Sequence, residues 1–494
     1  MTSTLTLPQN DLHDVHQTLL RFAPDAVLVG GAVRDLILQR PVNDLDYVVH
    51  GNGLHIGKKL ADTLGAAYYP LDESRQIARV VWKRESTSLV IDISSLLDMP
   101  LEEDIRRRDF TINAIAMLPD GKIFDLLGGV RDLSERKLRL CTPHSLLNDP
   151  IRTMRAVRFL YKFQLTPAPG LEQQIQQAAP LLKQISPERQ RDEFVKILAL
   201  PEPDLALARM VDWRIAHVFM PELVALQGVA QSAPHIFDVY QHTLQVVRWV
   251  SRLDAWLLHD SRPQNTSEEL IQQRLANYKT ELRAYLQEQI IAERPRWLWL
   301  RFAAIAHDWG KPESISQDDG GKIHFFRHEK LSAEMAAAWM NRYNCARHEI
   351  KFVQHICAAH MRPMNFLPPN SPPSKRAVFR FHRDLGDVAP AVVILFLADF
   401  MGARGQDVQQ EELAIALDTA ETLLKPWASE QQEPTVPPPL LNGKELMQIF
   451  GLRPGPEIGK LLAALQEAQA VGQIQNREQA IAYIANLLSK ESHD

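Results

Sequence analysis

Short apolar runs separated by polar turns fill the first 140 residues: AVLVGG, LDYVV, AAYYPL, QIARVVW and SLVIDIS. Their length and alternation predict strands, whereas the helical spacing of HIGKKLADTLG and FTINAIAM predicts helices. This opening stretch reads as an α+β unit. After about residue 142 the strand signals stop, and RTMRAVRFLYKF, LEQQIQQAAPLLKQI and RQRDEFVKILAL continue with a 3.6-residue period, so everything downstream is expected to be helical. Two proline clusters, PPNSPP at 368–373 and PTVPPPL at 434–440, interrupt that pattern, the second as a hinge before a small terminal unit. The stretch 261–295, rich in Gln, Glu and Arg, reads as a solvated helical insertion.

At 494 residues the chain can hold three or four packing units. With 45% apolar and 23% charged residues it is of ordinary globular composition. Cys141, Cys345 and Cys357 form no CxxC pair, which excludes a disulfide framework and a zinc ribbon and fits a reducing cytoplasm. The N-terminus lacks the layout of an export signal, and the longest apolar run, AVVILFLADF, carries Asp399, so no membrane span is expected. The net charge of −5 argues against a wholly basic surface, yet residues 101–200 hold 16 Lys/Arg against 13 Asp/Glu, a local balance compatible with RNA.

The chemistry concentrates in GGAVRDLILQRPVNDLDYVV, residues 30–49. Asp44 and Asp46, two apart on a predicted strand, project from one face. Two such carboxylates repel unless a cation lies between them, and their chemical use is to hold two Mg²⁺ ions about 3.5–4 Å apart. Gly30 and Gly31, with Arg34 and Asp35 following on a helix, offer close backbone approach to phosphates. An exposed DxD turn explains the pair equally well at this point. Asp92 in LVIDIS could complete the cluster or face water at a sheet edge. In RRRDFTINAIAM, residues 106–117, Arg108 and Asp109 suit a grip on triphosphate and ribose, and Asn113 is a polar group amid apolar neighbours.

GGAVRD with DLD, then RRDFTINA, DLLGG at 125–129, NDPIRTMRAVRF at 148–159 and SPERQRDEF at 186–194, in this order, resembles class II tRNA nucleotidyltransferases of the DNA polymerase beta superfamily. The resemblance spans about residues 20–200 and implies a mixed-sheet head over 1–141, with catalytic Asp44, Asp46 and Asp92 and metal held at Asp44 and Asp46 as Mg²⁺. It further implies a helical neck, 142–225, that selects the nucleotide. Asp149 and Arg152, three apart on one helical face, present an acceptor beside a donor. Cytosine and adenine match that pattern, whereas uracil and guanine set like against like on both contacts. Asn148 replaces the family's usual Glu and reads as a tuning change. Arg155 and Arg158 either reach triphosphate or form surface ion pairs. The family's C-to-A switching loop lies between the third carboxylate and the RRD motif. Here only ISSLLDMP, 93–100, is available, which favours a CC-adding enzyme using CTP and needing a separate A-adding partner. Full CCA addition with CTP and ATP stays open.

Further along, His242, His307, Asp308, His328, His360 and Asp399 stand within apolar helical patterns, where polar groups are costly without partners; together they suit one or two divalent metals. The order H…HD…D resembles the HD phosphohydrolase domain, implying His242, His307, Asp308 and Asp399 as ligands, His328 and His360 as further candidates, and Lys311 near phosphate. The HD domain is placed at 226–430. The segment from 436 to 494 resembles the small tRNA-binding unit of such relatives, with Gly455, Pro456, Arg453 and Lys460 as a candidate phosphate contact. An HD phosphohydrolase with an inactive head and a non-catalytic RNA-binding protein are weaker readings, because both constellations keep their carboxylates, and a poly(A) polymerase is weaker because those relatives carry a basic tail where this sequence reads ESHD and keeps an HD pattern.

Overall fold

The structure, a computed structural model, describes residues 4–5, 7–8, 10–84, 88–368, 370, 372–405, 408–429 and 439–491. Packing divides the chain into two compact units, 1–193 with 209–219, and 194–208 with 220–494.

The main sheet of the first unit has, among the described residues, seven strands, β1 Val27–Val29, β2 Asp44–Val49, β3 Ala67–Asp72, β4 Ile77–Lys83, β5 Ser88–Ser95, β6 Ala116–Met117 and β7 Ile123–Phe124. They form one sheet in the order β3-β4-β5-β2-β1-β6-β7. The β2–β5 pair is parallel and the other pairs are antiparallel, so the sheet is mixed. In β2, Leu45 and Tyr47 are buried while Asp44 and Asp46 face out, the alternation of a half-buried strand. Parallel register sets Asp46 beside Asp92 of β5, and Arg79 of β4 lies opposite Asp92 on its other side.

FTINAIAM does not form the expected helix. Residues Thr111–Asn113 make one 3₁₀ turn, and Ala116–Met117 become β6, pairing with Val29 and Leu28. Because Ala114, Ile115, Ala116 and Met117 are all buried, the run has no polar face from which a period could be read. A second departure is functional. The helix Arg152–Lys162 starts at Arg152, and Asp149 caps the preceding short helix Ser145–Asn148 in extended backbone, so the two do not share a helical face. Pro150 is the cause, since a residue before proline avoids helical backbone.

The second unit is helical, built around Ala389–Arg404, a helix buried along almost its whole length. Among the described residues the only stretch long and apolar enough to cross a membrane is Lys375–Arg404, and 83% of its apolar window is buried inside the protein. Among the described residues two short two-stranded pairings nonetheless lie downstream of 142, Gln289–Ile291 with Arg294–Pro295 and Ile315–Gln317 with Ile323–Phe325, and Thr166–Pro167 of the first unit pairs back with Lys137–Leu138. Strands of two or three residues are too short to impose a pattern. The 261–295 stretch is not simply solvated: its helices Thr266–Arg274 and Lys279–Gln287 bury Ile271, Leu282 and Leu286. Of the proline clusters, 369, 371 and 434–438 lie outside the described residues. The terminal helices Gly443–Phe450, Pro456–Ala470 and Arg477–Glu491 enclose a small core of Leu446, Leu461, Leu465 and Ile484.

Candidate active site

In the first unit the edge of β2, the turn before helix Gly31–Ile37 and helix Arg152–Lys162 enclose a cavity of about 650 Å³. Gly30, Gly31, Arg34, Asp35, Asp44, Asp46, Arg108, Asp109, Asn113, Asp149, Arg152, Arg155 and Arg158 all line it. Asp92 does not line it but adjoins Asp46 through the sheet register, where Arg79 grips both its oxygens at 2.8 Å. Gly30 has φ +78, a left-handed backbone that favours glycine, and a Cβ there would stand 2.8 Å from the tip of Arg108, which would have to move aside.

Charge decides what the cavity can hold. Seven cationic side chains face five carboxylates along its wall, a net positive lining suited to a polyanion. Loss of solvent raises the Asp46 pKa above its ordinary value; Arg108 opposes the rise, and Asp92 and Asp44 add to it. Relief of that crowding is what a divalent cation between Asp44 and Asp46 provides, and their outward-facing oxygens are hard donors of the kind Mg²⁺ prefers.

The remaining wall is braced by its own ion pairs. Asp109 is buried; although burial opposes ionisation, Arg155, Asn113 and the Phe110 N–H hold its pKa below the ordinary 3.8. Arg155 donates to it at 2.8 and 2.6 Å. Buried Arg158 pairs with buried Glu193, so neither arginine is a free surface charge. Arg34 is paired with Asp35 and Asn113 and lies 4.2 Å over the Phe163 ring. Arg152 donates to the carbonyls of Arg107, Arg108 and Ser145 at 2.8–3.2 Å, while Asp149 is held by Arg189 at 2.8 Å. Lys162 and Arg189 also line the cavity without having been singled out from the sequence. Lys162 follows Arg155 and Arg158 at helical spacing, and Arg189 belongs to SPERQRDEF, so both signals were present.

Arg155→Ala is expected to destabilise the protein by about 2–3 kcal/mol, less than fully orphaning a buried charge because Asn113 and the Phe110 N–H remain. Since Asp109 is depressed when folded, its stabilisation is present above pH 3.8 and is lost as pH falls through the lower folded value. Urea melts at pH 7 and pH 3 measure this: the gap between wild type and variant should shrink in acid.

In the second unit His242, His307, Asp308, His328, His360 and Asp399 converge in one buried cluster. Asp308 Oδ2 lies 3.2 Å from His307 Nε2 and 3.5 Å from His242 Nε2, and its Oδ1 lies 3.4 and 3.8 Å from His328 and His360. Asp399 reaches His242 at 3.0 Å. Both Asp308 oxygens and the Nε2 atoms of His242 and His307 are buried without a well-directed hydrogen bond, their near contacts being one another, Asp399 and the Lys311 ammonium, an arrangement of converging donors that suits a metal. Burial, reinforced by His307 and His328, pushes His360 down to about 3, keeping the imidazole in its neutral, ligating form. Lys311 bonds to Asp308 at 2.7 Å and to Gln231 at 2.6 Å. His235, absent from the sequence reading, stands at the rim of this cluster. Near the C-terminus Lys460 lines a basic cavity with Arg376, Arg380 and Arg383 around buried Glu467, whereas Arg453 and Gly455 do not line it.

Residues 26–139 match the family described as Poly A polymerase head domain, 164–226 the probable RNA and SrmB- binding site of polymerase A, 281–399 the HD domain, and 411–485 tRNA nucleotidyltransferase domain 2. An A-adding tRNA nucleotidyltransferase of Deinococcus radiodurans is 32% identical, with 94% of this chain and 95% of that protein covered. A CC-adding tRNA nucleotidyltransferase of Thermus thermophilus is 30% identical, with 93% of each chain covered. A solved CCA-adding enzyme with ATP shares the fold at a TM-score of 0.63 and 20% identity, over 97% of this chain and 95% of that one.

Proposed function

Given that the chain belongs to the tRNA nucleotidyltransferase family, we propose that it extends the 3′ end of tRNA from CTP, without a template, in the cytoplasm. The observation that carries the reading is the Asp44–Asp46 pair on one strand face, beside a cavity whose wall is net positive. Magnesium bound at that pair supplies activation of the attacking hydroxyl and neutralisation of the triphosphate. Arg108 and Arg34 border the same cavity as phosphate-facing cations, and Gly30 leaves room for close approach of the backbone. Asp149 and Arg152, each anchored by neighbouring groups, present the acceptor and donor that read the base edge.

Addition of two C residues, with a separate enzyme completing the A, is favoured by the connection between β5 and helix Leu101–Arg107. It is only five residues, Leu96 to Pro100, with Leu96 buried, which leaves no length for a mobile switching loop. A-addition is the second reading, favoured by the 32% identity to the Deinococcus enzyme. Three tRNA substrates separate the cases, one lacking CCA, one ending in C and one ending in CC, each given CTP and ATP. A CC-adding enzyme extends the first by two, the second by one and leaves the third. Extension of the third alone identifies A-addition, and completion of all three identifies full CCA addition.

The buried His/Asp cluster is read as a metal centre hydrolysing phosphoester ends of RNA. Divalent metal there supplies an activated water, and Lys311, beside Asp308, supplies positive charge for phosphate. His307→Ala should abolish metal-dependent hydrolysis of a 2′,3′-cyclic phosphate or phosphomonoester end while leaving CMP transfer unchanged, measured on one preparation. Loss of both activities together would contradict two independent centres.

A further inference from the structure

Four histidines of the second unit are oriented by one device. His307 Nδ1 meets the Ala304 carbonyl at 2.9 Å, His328 Nδ1 the Phe325 carbonyl at 2.7 Å, and His360 Nδ1 the Cys357 carbonyl at 2.7 Å. The fourth is His235, whose Nδ1 meets the Ser232 carbonyl at 3.2 Å. In each case the acceptor is the carbonyl three residues earlier. A carbonyl oxygen only accepts, so Nδ1 must carry the proton and Nε2 must keep its lone pair. Fixing the tautomer through the far nitrogen is how proteins aim an imidazole at a metal. Two histidines elsewhere in the unit spend Nε2 instead: His382 Nε2 bonds the Leu423 carbonyl at 2.7 Å, and His324 Nε2 bonds Asp318 at 2.9 Å.

Position agrees with orientation. The ligand atoms of His235, His242 and Asp399 lie within 4.8 Å of one another, and the His235 and His242 ring centroids are 5.0 Å apart. Asp308 divides the cluster, its Oδ1 turned to His328 and His360 and its Oδ2 to His307 and His242. His235 belongs to the second side. Unlike the six fully enclosed groups, it is half-buried and comes from the segment before helix Val239–His259. A third ion is not the better explanation, because two divalent cations already exceed the charge of the two carboxylates.

We propose that His235 is a further ligand to the metal on the His242–His307–Asp399 side. The two sides would then differ: His235, His242, His307, Asp308 and Asp399 would hold one ion, whereas Asp308, His328 and His360 would hold the other with fewer protein donors, so that water and phosphate would find room there. This rests on the reading of the cluster as a metal centre. The test is calorimetric titration of the chelator-treated full-length chain with Co²⁺, in an Asp44→Ala, Asp46→Ala background that removes the head site. Two classes of site are expected. His235→Gln should weaken one class by about tenfold or more and spare the other, and His328→Gln should do the reverse. A His235→Gln isotherm that overlays its parent overturns the proposal, as does an unchanged isotherm with weakened binding of inorganic phosphate. If the parent itself takes up no Co²⁺, the metal-centre reading falls with it.

Discussion

Given a tRNA lacking its 3′ CCA, the enzyme is expected to use CTP over UTP by at least about 10⁴-fold in kcat/KM. The two bases have nearly the same shape, so apolar packing cannot separate them. Cytosine presents an amino donor beside the N3 acceptor, which on the proposed reading would pair with the Asp149 carboxylate and the Arg152 guanidinium. Uracil presents a carbonyl beside an N–H, placing acceptor against acceptor and donor against donor. Arg152 cannot swing away cheaply, because it is fastened to the carbonyls of Arg107, Arg108 and Ser145. Asp149 is held by Arg189 at 2.8 Å. Two frustrated polar contacts in a confined pocket cost enough to account for that ratio. Single-turnover incorporation of each nucleotide measures it, and UMP transfer within tenfold of CMP transfer would refute the pairing. Arg152→Ala should then lower the ratio chiefly by slowing CMP.

Asp44→Ala is expected to reduce nucleotide transfer by about 10³-fold or more, the rate equivalent of losing about 4 kcal/mol of transition-state charge stabilisation. Asp44 is an outward position on β2, so the change removes no core contact, and the melting temperature should stay within a degree or two of wild type. Hydrolysis at the His/Asp cluster should be spared. The Asp44 variant also separates metal loss from structural damage, because Asp46, Arg108 and Gly30 keep their places. Transfer within tenfold of wild type would remove the metal assignment from the head.

What could be read from the sequence follows from the range of the forces involved. The outward pairing of Asp44 and Asp46 needs only the two-residue pleat of one strand, so it was legible locally. The position of Asp92 beside Asp46 depends on β2 pairing with β5 across more than forty residues, which no local pattern encodes. FTINAIAM misled because its last residues are buried on every side and carry no period. The Asp149–Arg152 face was misread although the signal was visible, since Pro150 stood between them and bars helix at Asp149. The six cluster residues could be singled out because histidine and aspartate are costly within apolar helices. His235 lies outside any periodic segment, and only its hydrogen bond to Ser232 and its place beside His242 distinguish it from a loop histidine.

The most direct test of the central claim is a single incubation: the full-length chain, a tRNA lacking CCA, radiolabelled CTP alone and Mg²⁺, resolved at single-nucleotide resolution. A working C-adding head predicts extension by two residues and then arrest. No incorporation, or runs of C well beyond two, would contradict it.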